Sequence, residues 1–391
     1  MSDVVIVGAK RTAIGSFLGQ YTGVPSTVLG ATAIAGALAH AGVDADQVDE
    51  VFMGCVLTAG LGQAPARQAA LGAGLPVSAG CTTINKVCGS GMKAIMLGHD
   101  LIKAGSASIV IAGGMESMTN APHLLNSSRT GVRYGSAELI DHMAFDGLTN
   151  PYDGKAMGVF GDMACEAYGF DRAALDAFSE ESVKRAQAAQ TSGAFKDEIV
   201  PVTVKGRKGE IVVDSDEEPG KIDIGKIPTL RAAFGKDGVL TAASSSKISD
   251  GAAATVLMSA AEAGKRGLKP LARIVAHASH SQAPEWFTTA PVKAIDNVLK
   301  KAGWTVADVD LFEINEAFAC VAMAPMKDLG IPHEKINVNG GACAMGHPIG
   351  ASGARLVVTL LNALRSRGGT RGIASLCIGG GEATAIAVEL L

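Results

Sequence analysis

The sequence predicts an α/β protein made of two related halves, with a separate segment inserted between them. The first observation behind this is an internal repeat. A helix-like stretch from Leu29 to His40 is followed by Ala41-Gly42, then Val48-Asp49, then the apolar run Val51 to Met53. The same order returns as Val292 to Lys301, Ala302-Gly303, Val309-Asp310 and Leu311-Phe312, an offset of 302 − 41 = 261. Ser90-Gly91 with Lys93 likewise returns as Ser352-Gly353 with Arg355, at 352 − 90 = 262. Each of these opens a helical stretch that leads to a strand. One strand is Ile109 to Ala112, closed by Gly113-Gly114-Met115-Glu116; the other is Ile373 to Cys377, closed by Gly379-Gly380-Gly381-Glu382. A repeat this long is a domain duplication rather than a solenoid unit, whose period is roughly 20–50 residues.

The second observation is alternation. Short apolar runs bounded by glycine alternate with longer amphipathic stretches, a pattern that predicts α/β halves with mostly parallel sheets. Val4 to Val7 reads as the first strand, not as a secretion signal. The third is the break in the middle. Residues 122–238 bring Asn, Ser, Arg and Tyr in irregular order, a helix from Asp171 to Gln190 and an alternating strand from Ile199 to Val204. A polar stretch, Lys205 to Gly225, follows and includes Asp214-Ser215-Asp216-Glu217-Glu218. The helix and strand predict an ordered insertion. The expected organisation is a first half at 1–121, an inserted loop domain at 122–238, completion of the first half at 239–269 and a second half at 270–391.

The composition fits this plan. Of 391 residues, 48% are hydrophobic, enough for two or three packed units. A net charge of −4 with 18% charged residues argues against a nucleic-acid binder. No apolar run reaches membrane-spanning length without polar interruption. The seven cysteines are odd in number and form no CxxC pair, which speaks against a disulfide framework and a structural zinc, and for a reducing cytoplasm.

Four stretches carry candidate chemistry. In Asn85-Lys86-Val87-Cys88-Gly89-Ser90-Gly91 a cysteine precedes a helix start. Backbone N–H groups and the helix dipole there are expected to lower its pKa, and the glycines to let a thioester approach. The bland reading is a structural cysteine in a tight turn. In the stretch from Asn339 to Gly353, His347 occupies the place in the second half that corresponds to Cys88 in the first. Neutral imidazole there is suited to take the thiol proton, although a histidine between Gly and Pro is more often a turn residue. Cys377 ends a strand before Gly379-Gly380-Gly381, where open α/β sheets bind ligands. The glycines alone are weak evidence for a phosphate loop. Glu313-Ile314-Asn315-Glu316-Ala317-Phe318 closes another strand; Asn315 is either a helix N-cap or an amide that serves an oxyanion.

Together these motifs, in this order and over the whole chain, resemble the thiolase family. The resemblance implies a five-layered α-β-α-β-α sandwich whose loop domain binds coenzyme A and makes oligomer contacts. It implies Cys88 as the nucleophile that carries the acyl group, His347 as its activating base and Cys377 as the group that moves the α-proton. Asn315 would hold a water in one oxyanion hole with His347 as the other donor; the N–H groups of Cys88 and Gly379 would form the second. Leu148, Met157, Arg231, Ala243, Ser246 and Phe318 match acyl-CoA contacts. Coenzyme A would be substrate and leaving group, with no other cofactor and no metal. The short length and the ending Val388-Glu389-Leu390-Leu391, which is no peroxisomal tail, point within the family to condensation of two acetyl-CoA, in a cytoplasmic homotetramer.

Departures are visible. In Thr241-Ala242-Ala243-Ser244-Ser245-Ser246-Lys247-Ile248-Ser249-Asp250-Gly251, Ser244 and Ser249 replace Asn and Lys247 replaces Gly. Lys247 reads as a solvated lysine or a phosphate contact. Ala156 stands where a His is frequent, and so widens the expected acyl pocket. Three alternatives stay open: a degradative 3-ketoacyl-CoA thiolase of broader chain length, a related ketoacyl synthase, and a catalytically silent coenzyme-A-binding scaffold. Cys377 and the loop domain argue against the synthase, and four intact catalytic positions argue against the scaffold.

Overall fold

The computed structural model describes residues 3–206 and 209–391; Ser2, and Arg207 and Lys208 of the polar stretch, lie outside the described residues. The chain opens with β1 (Val4–Arg11), β2 (Gly15–Ser16), α1 (Ser26–Ala41), β3 (Glu50–Gly54), α2 (Pro65–Gly72), β4 (Gly80–Ile84), α3 (Ser90–Lys103) and β5 (Ile109–Ser117). The middle carries β6 (His123–Leu124), β7 (Ile140–Asp141), α4 (Met157–Tyr168), α5 (Arg172–Ser192), β8 (Val202–Gly206) and β9 (Gly209–Val213). Next come β10 (Ser249–Ser259) and α6 (Ala260–Lys265). The remainder is β11 (Ala272–Ser281), α7 (Ala290–Ala302), β12 (Leu311–Ile314), α8 (Ala319–Leu329), α9 (Ala342–Met345), α10 (Ile349–Arg367), β13 (Arg371–Ile378) and β14 (Glu382–Leu390).

The strand order β4-β3-β5-β10-β1 meets its mirror, β11-β14-β13-β12, through two residue pairs of β1 and β11. A parallel bridge from Phe312 to Ile336 stands where the counterpart of β4 would be. The repeat seen in the sequence is thus a repeat of topology. Helices α1 and α2 cover one outer face, α7 and α8 the other, and α3 packs on α10 between the sheets, giving five layers. Separate apolar cores fill the spaces: Leu29, Ile34 and Met53 under α1; Ile95, Leu356 and Leu360 between α3 and α10; Ile295, Phe312 and Val321 under α7 and α8.

The expectation of mostly parallel sheets is corrected. Only β3–β4, β3–β5 and β12–β13 pair in parallel, while β10 and β14 run antiparallel to both neighbours. For the β13–β14 pair the reason is connection length. A parallel pair needs a crossover of a dozen or more residues; β13 and β14 are joined by Gly379-Gly380-Gly381 alone, with φ of 93° and 91° at the last two. The three glycines are a hairpin turn that a residue with a Cβ would strain.

The glycines beside Cys88 were expected to let a thioester approach, but Gly91, like Gly353 at the other helix start, is needed for close helix packing. A Cβ on Gly353 would lie 2.4 Å from the Met92 nitrogen, and one on Gly91 2.8 Å from the Ala354 nitrogen. The repeated Ser-Gly pairs are where α3 and α10 cross, backbone against backbone.

In the middle segment the expected helix is α5, capped by Asp171, whose side chain accepts from the Ala174 N–H at 2.8 Å. The ladder expected from Ile199 to Val204 starts later, at Val202, because Ile199 bridges to Arg11 of β1. The acidic run is not uniformly solvated. Asp216 is buried and takes the Arg11 guanidinium in two bonds of 2.7 and 2.9 Å, while Arg11 Nε donates to Glu198 at 2.6 Å. No helix among the described residues is long and apolar enough to cross a membrane.

Candidate active site

The Cys88 loop links β4 to α3. Val87 sits at φ 45°, a left-handed value rarely tolerated by a β-branched residue. It is held there by Asn85 Oδ1, which accepts its N–H at 2.9 Å, and by Ser90 Oγ, which donates to its carbonyl at 2.6 Å. This kink presents the half-buried Cys88 thiol to the hairpin between β13 and β14. Gly89 leaves room for Ile378, since a Cβ there would lie 2.3 Å from its Cδ1. Lys86 pairs with Glu382 across the same junction.

Enclosure by protein pushes the Cys88 thiol up to about 11; the backbone N–H groups of Gly379 and of Cys88 itself pull the other way and lose. The pKa lowering expected from the helix start is therefore corrected: local donors are present, but desolvation of a thiolate outweighs them. Cys377, fully buried at the end of β13, is pushed well above the usual thiol range by burial and then by Cys88 beside it. The expected result is that carbamidomethylation of Cys88 by iodoacetamide keeps accelerating as pH rises to about 11. A plateau already at neutral pH, read by peptide mass spectrometry, would show a preformed thiolate instead.

His347 precedes α10 and is buried. Its Nδ1 lies 2.6 Å from Ser352 Oγ, which donates its one proton to the Pro348 carbonyl at 2.9 Å. Ser352 can satisfy both contacts only by accepting from Nδ1–H, which leaves Nε2 as the free base. Burial, then the Arg355 charge, pushes His347 down to about 3. The imidazole is therefore neutral at neutral pH. Asn315 is not a helix cap: α8 begins at Ala319, and the Asn315 carboxamide lies 3.4 Å from each ring nitrogen of His347. Glu316 is buried, accepting from Ser182 and Asn337 at 2.7 Å and from the Cys343 N–H at 3.0 Å, and so braces the turn before His347.

A cavity of about 290 Å³ opens onto His347. Leu148, Met157, Ser246 and Phe318 line it as expected, with Ala156 beside them. Cys88, Leu148 and Ile248 pack against one apolar cluster that includes Met118 and Ile349, and all of these but Cys88 line the cavity. Ala243 is buried behind the wall, its N–H donated to Thr241 Oγ1 at 3.2 Å, and Arg231 is exposed outside the cavity. Sequence reasoning missed Met118, Phe234 and Ile349, which nothing but position marks as lining. It also missed Glu116. That buried carboxylate accepts from the N–H groups of Val56, Leu57 and Gly350, binding the β3 loop to the start of α10, and burial lifts it to about 7. Its place two residues after Gly114, matching Glu382 after the second glycine run, was the available signal.

A duplicated fold, paired cysteines beside hairpin N–H groups and a neutral buried histidine define a class of acyl-transfer enzyme, and the chain belongs to the thiolase family. Residues 4–261 match the thiolase N-terminal domain and 268–390 the thiolase C-terminal domain. The chain is 51% identical over 389 residues to an acetyl-CoA acetyltransferase of Chromobacterium violaceum, covering 99% of each chain. It is 50% identical over 391 residues to one of Cupriavidus necator, covering 100% of each. It is also 49% identical over 391 residues to one of Schizosaccharomyces pombe, covering 99% of each.

Proposed function

We propose that this thiolase is an acetyl-CoA acetyltransferase, which condenses two acetyl-CoA to acetoacetyl-CoA and free coenzyme A and runs the reverse thiolysis. The observation that carries the reading is the meeting of Cys88, Cys377 and the Gly379 N–H at one point, together with the full-length likeness to the acetyltransferases above. Cys88 Sγ attacks the acetyl carbonyl as His347 Nε2 takes its proton; the coenzyme A thiolate leaves and receives that proton, and acetyl-Cys88 remains. The N–H groups of Cys88 and Gly379 take the developing oxyanion, each such donor being worth roughly 3–4 kcal/mol. Cys377 then passes its proton to His347 Nε2 and, as thiolate, removes the α-proton of a second acetyl-CoA. The enolate, its oxygen held by the Nε2–H so formed and by a water on Asn315, attacks acetyl-Cys88 and expels the Cys88 thiolate, which takes the proton back from His347.

The pKa pattern supports this order. Burial is the larger cause that keeps Cys377 protonated and a Cys88 thiolate the lesser; with the acetyl group on Cys88 only the first remains when Cys377 has to ionise. Leu148, Met157, Ser246 and Phe318 would hold the acyl and pantetheine parts, with Ala243 behind them and Arg231 reaching the nucleotide end from outside. Coenzyme A serves as substrate and leaving group, and the reading assigns no metal or other cofactor. A cytoplasmic dimer of dimers, built through the loop domain at 122–238, completes it.

The test is coenzyme-A-dependent cleavage of 3-ketoacyl-CoAs of increasing length. Cleavage confined to acetoacetyl-CoA supports the proposal. Equal cleavage of longer chains, for which Ala156 leaves room, moves the chain to the degradative type; cleavage of none sinks both.

A further inference from the structure

Lys247, where the loop departs from the family pattern, is half-buried on the wall of the cavity, and its ammonium is turned into the protein. Its Nζ donates to the main-chain carbonyls of Ala242 at 2.5 Å, Ser245 at 2.8 Å and Cys343 at 2.9 Å. An ammonium has three N–H bonds, so all are used, and all on uncharged acceptors. Among the described ion pairs none includes Lys247, and burial pushes its pKa down.

The three carbonyls belong to two segments of the chain. Ala242 and Ser245 lie on the turn from Thr241 to Lys247, which is itself fastened to the Asn315 segment: Ser246 N–H donates to the Ala317 carbonyl at 3.0 Å, and Ala319 N–H to the Ser244 carbonyl at 2.9 Å. Cys343 lies on α9, in the turn that delivers His347. The main chain makes the reverse contact, since the Lys247 carbonyl accepts from the His347 N–H at 3.0 Å and from Ser249 Oγ at 2.8 Å. Three carbonyl oxygens aimed at one point repel one another unless a cation sits among them, and oxygen cages of this kind replace the hydration shell of monovalent cations.

We propose that Lys247 is a tethered cation: its ammonium fills a carbonyl-lined seat for a monovalent cation and thereby positions His347 over the cavity. Lys247 is a positioning residue, acting through the base and not on the substrate. The inference rests on the role given to His347 above.

The experiment uses the full chain with Lys247→Ala and Lys247→Met, assayed for acetoacetyl-CoA thiolysis with tetramethylammonium chloride as the only added salt, then with ammonium or potassium chloride at equal ionic strength. Both variants are expected to lose about 10- to 100-fold in kcat, the cost of a misplaced catalytic group. Ammonium or potassium is expected to restore most of kcat to Lys247→Ala, saturably, while leaving the unsubstituted enzyme unchanged. The same cations should raise the melting temperature of Lys247→Ala, a readout that survives even if the variant is inactive. The proposal is overturned if either variant keeps full kcat, since Met retains the stem and lacks only the charge. It is equally overturned if no monovalent cation changes the activity or the melting of Lys247→Ala. His347→Ala, run alongside, isolates the other assumption: if that variant stays active, the assignment of the base has failed, and the cation effect on melting still decides the seat.

Discussion

Cys88→Ala is expected to lose thiolysis and condensation together, by about 10⁴-fold or more in kcat, because no other group at the site can carry the acyl chain. Cys377→Ala should lose the overall reaction comparably yet fail at a different step. Its Cys88 is intact, as are the Gly379 N–H and His347, so incubation with acetyl-CoA should still leave one acetyl group on the protein. Intact-mass measurement separates the two: acetylation is expected in Cys377→Ala and none in Cys88→Ala. Acetylation of Cys88→Ala on Cys377 would reverse the roles, and no acetylation of either would place the nucleophile elsewhere.

The largest stability effect is expected away from the chemistry. Arg11→Met leaves Glu198 and Asp216 buried and uncompensated, at a cost of about 3–5 kcal/mol. Urea denaturation should show this as a lower midpoint with an unchanged slope. Neutralising the carboxylates as well, with Glu198→Gln and Asp216→Asn, should recover part of the loss, because uncharged groups cost less to bury. If the single variant melts like the parent, the network is ornamental and the middle segment is held by its apolar contacts alone.

The sequence carried a great deal of this through its symmetry. The repeated Ala-Gly and Ser-Gly pairs placed α1 opposite α7 and α3 opposite α10, and so placed Cys88 and His347 at matching ends of crossing helices. Strand direction was not legible, since antiparallel and parallel runs of buried Val and Ala look alike when both faces are covered. Neither was the state of the thiols. A cysteine before a helix suggests a lowered pKa, but the outcome depends on how much protein encloses the sulfur, and Cys88 packs on a cluster that includes residues as distant in the chain as Met143 and Ile349. Asp216 was hidden for the same reason: in an acidic run nothing local marks the one carboxylate that meets a buried arginine. Lys247 stood out as a departure, but only the fold shows that it turns inward.

The position of β10 has a consequence for synthesis. It fills the slot between β1 and β5, yet it begins at Ser249 while β5 ends at Ser117. At roughly 5–20 residues per second, the roughly 130 residues between them take about 7–26 s to translate. Throughout that interval a nascent chain owns two apolar strands whose facing edges have no partner. Unpaired edges of this kind invite pairing with other chains. The order of elements therefore makes the unfinished polypeptide, rather than the finished enzyme, the form most in need of a chaperone.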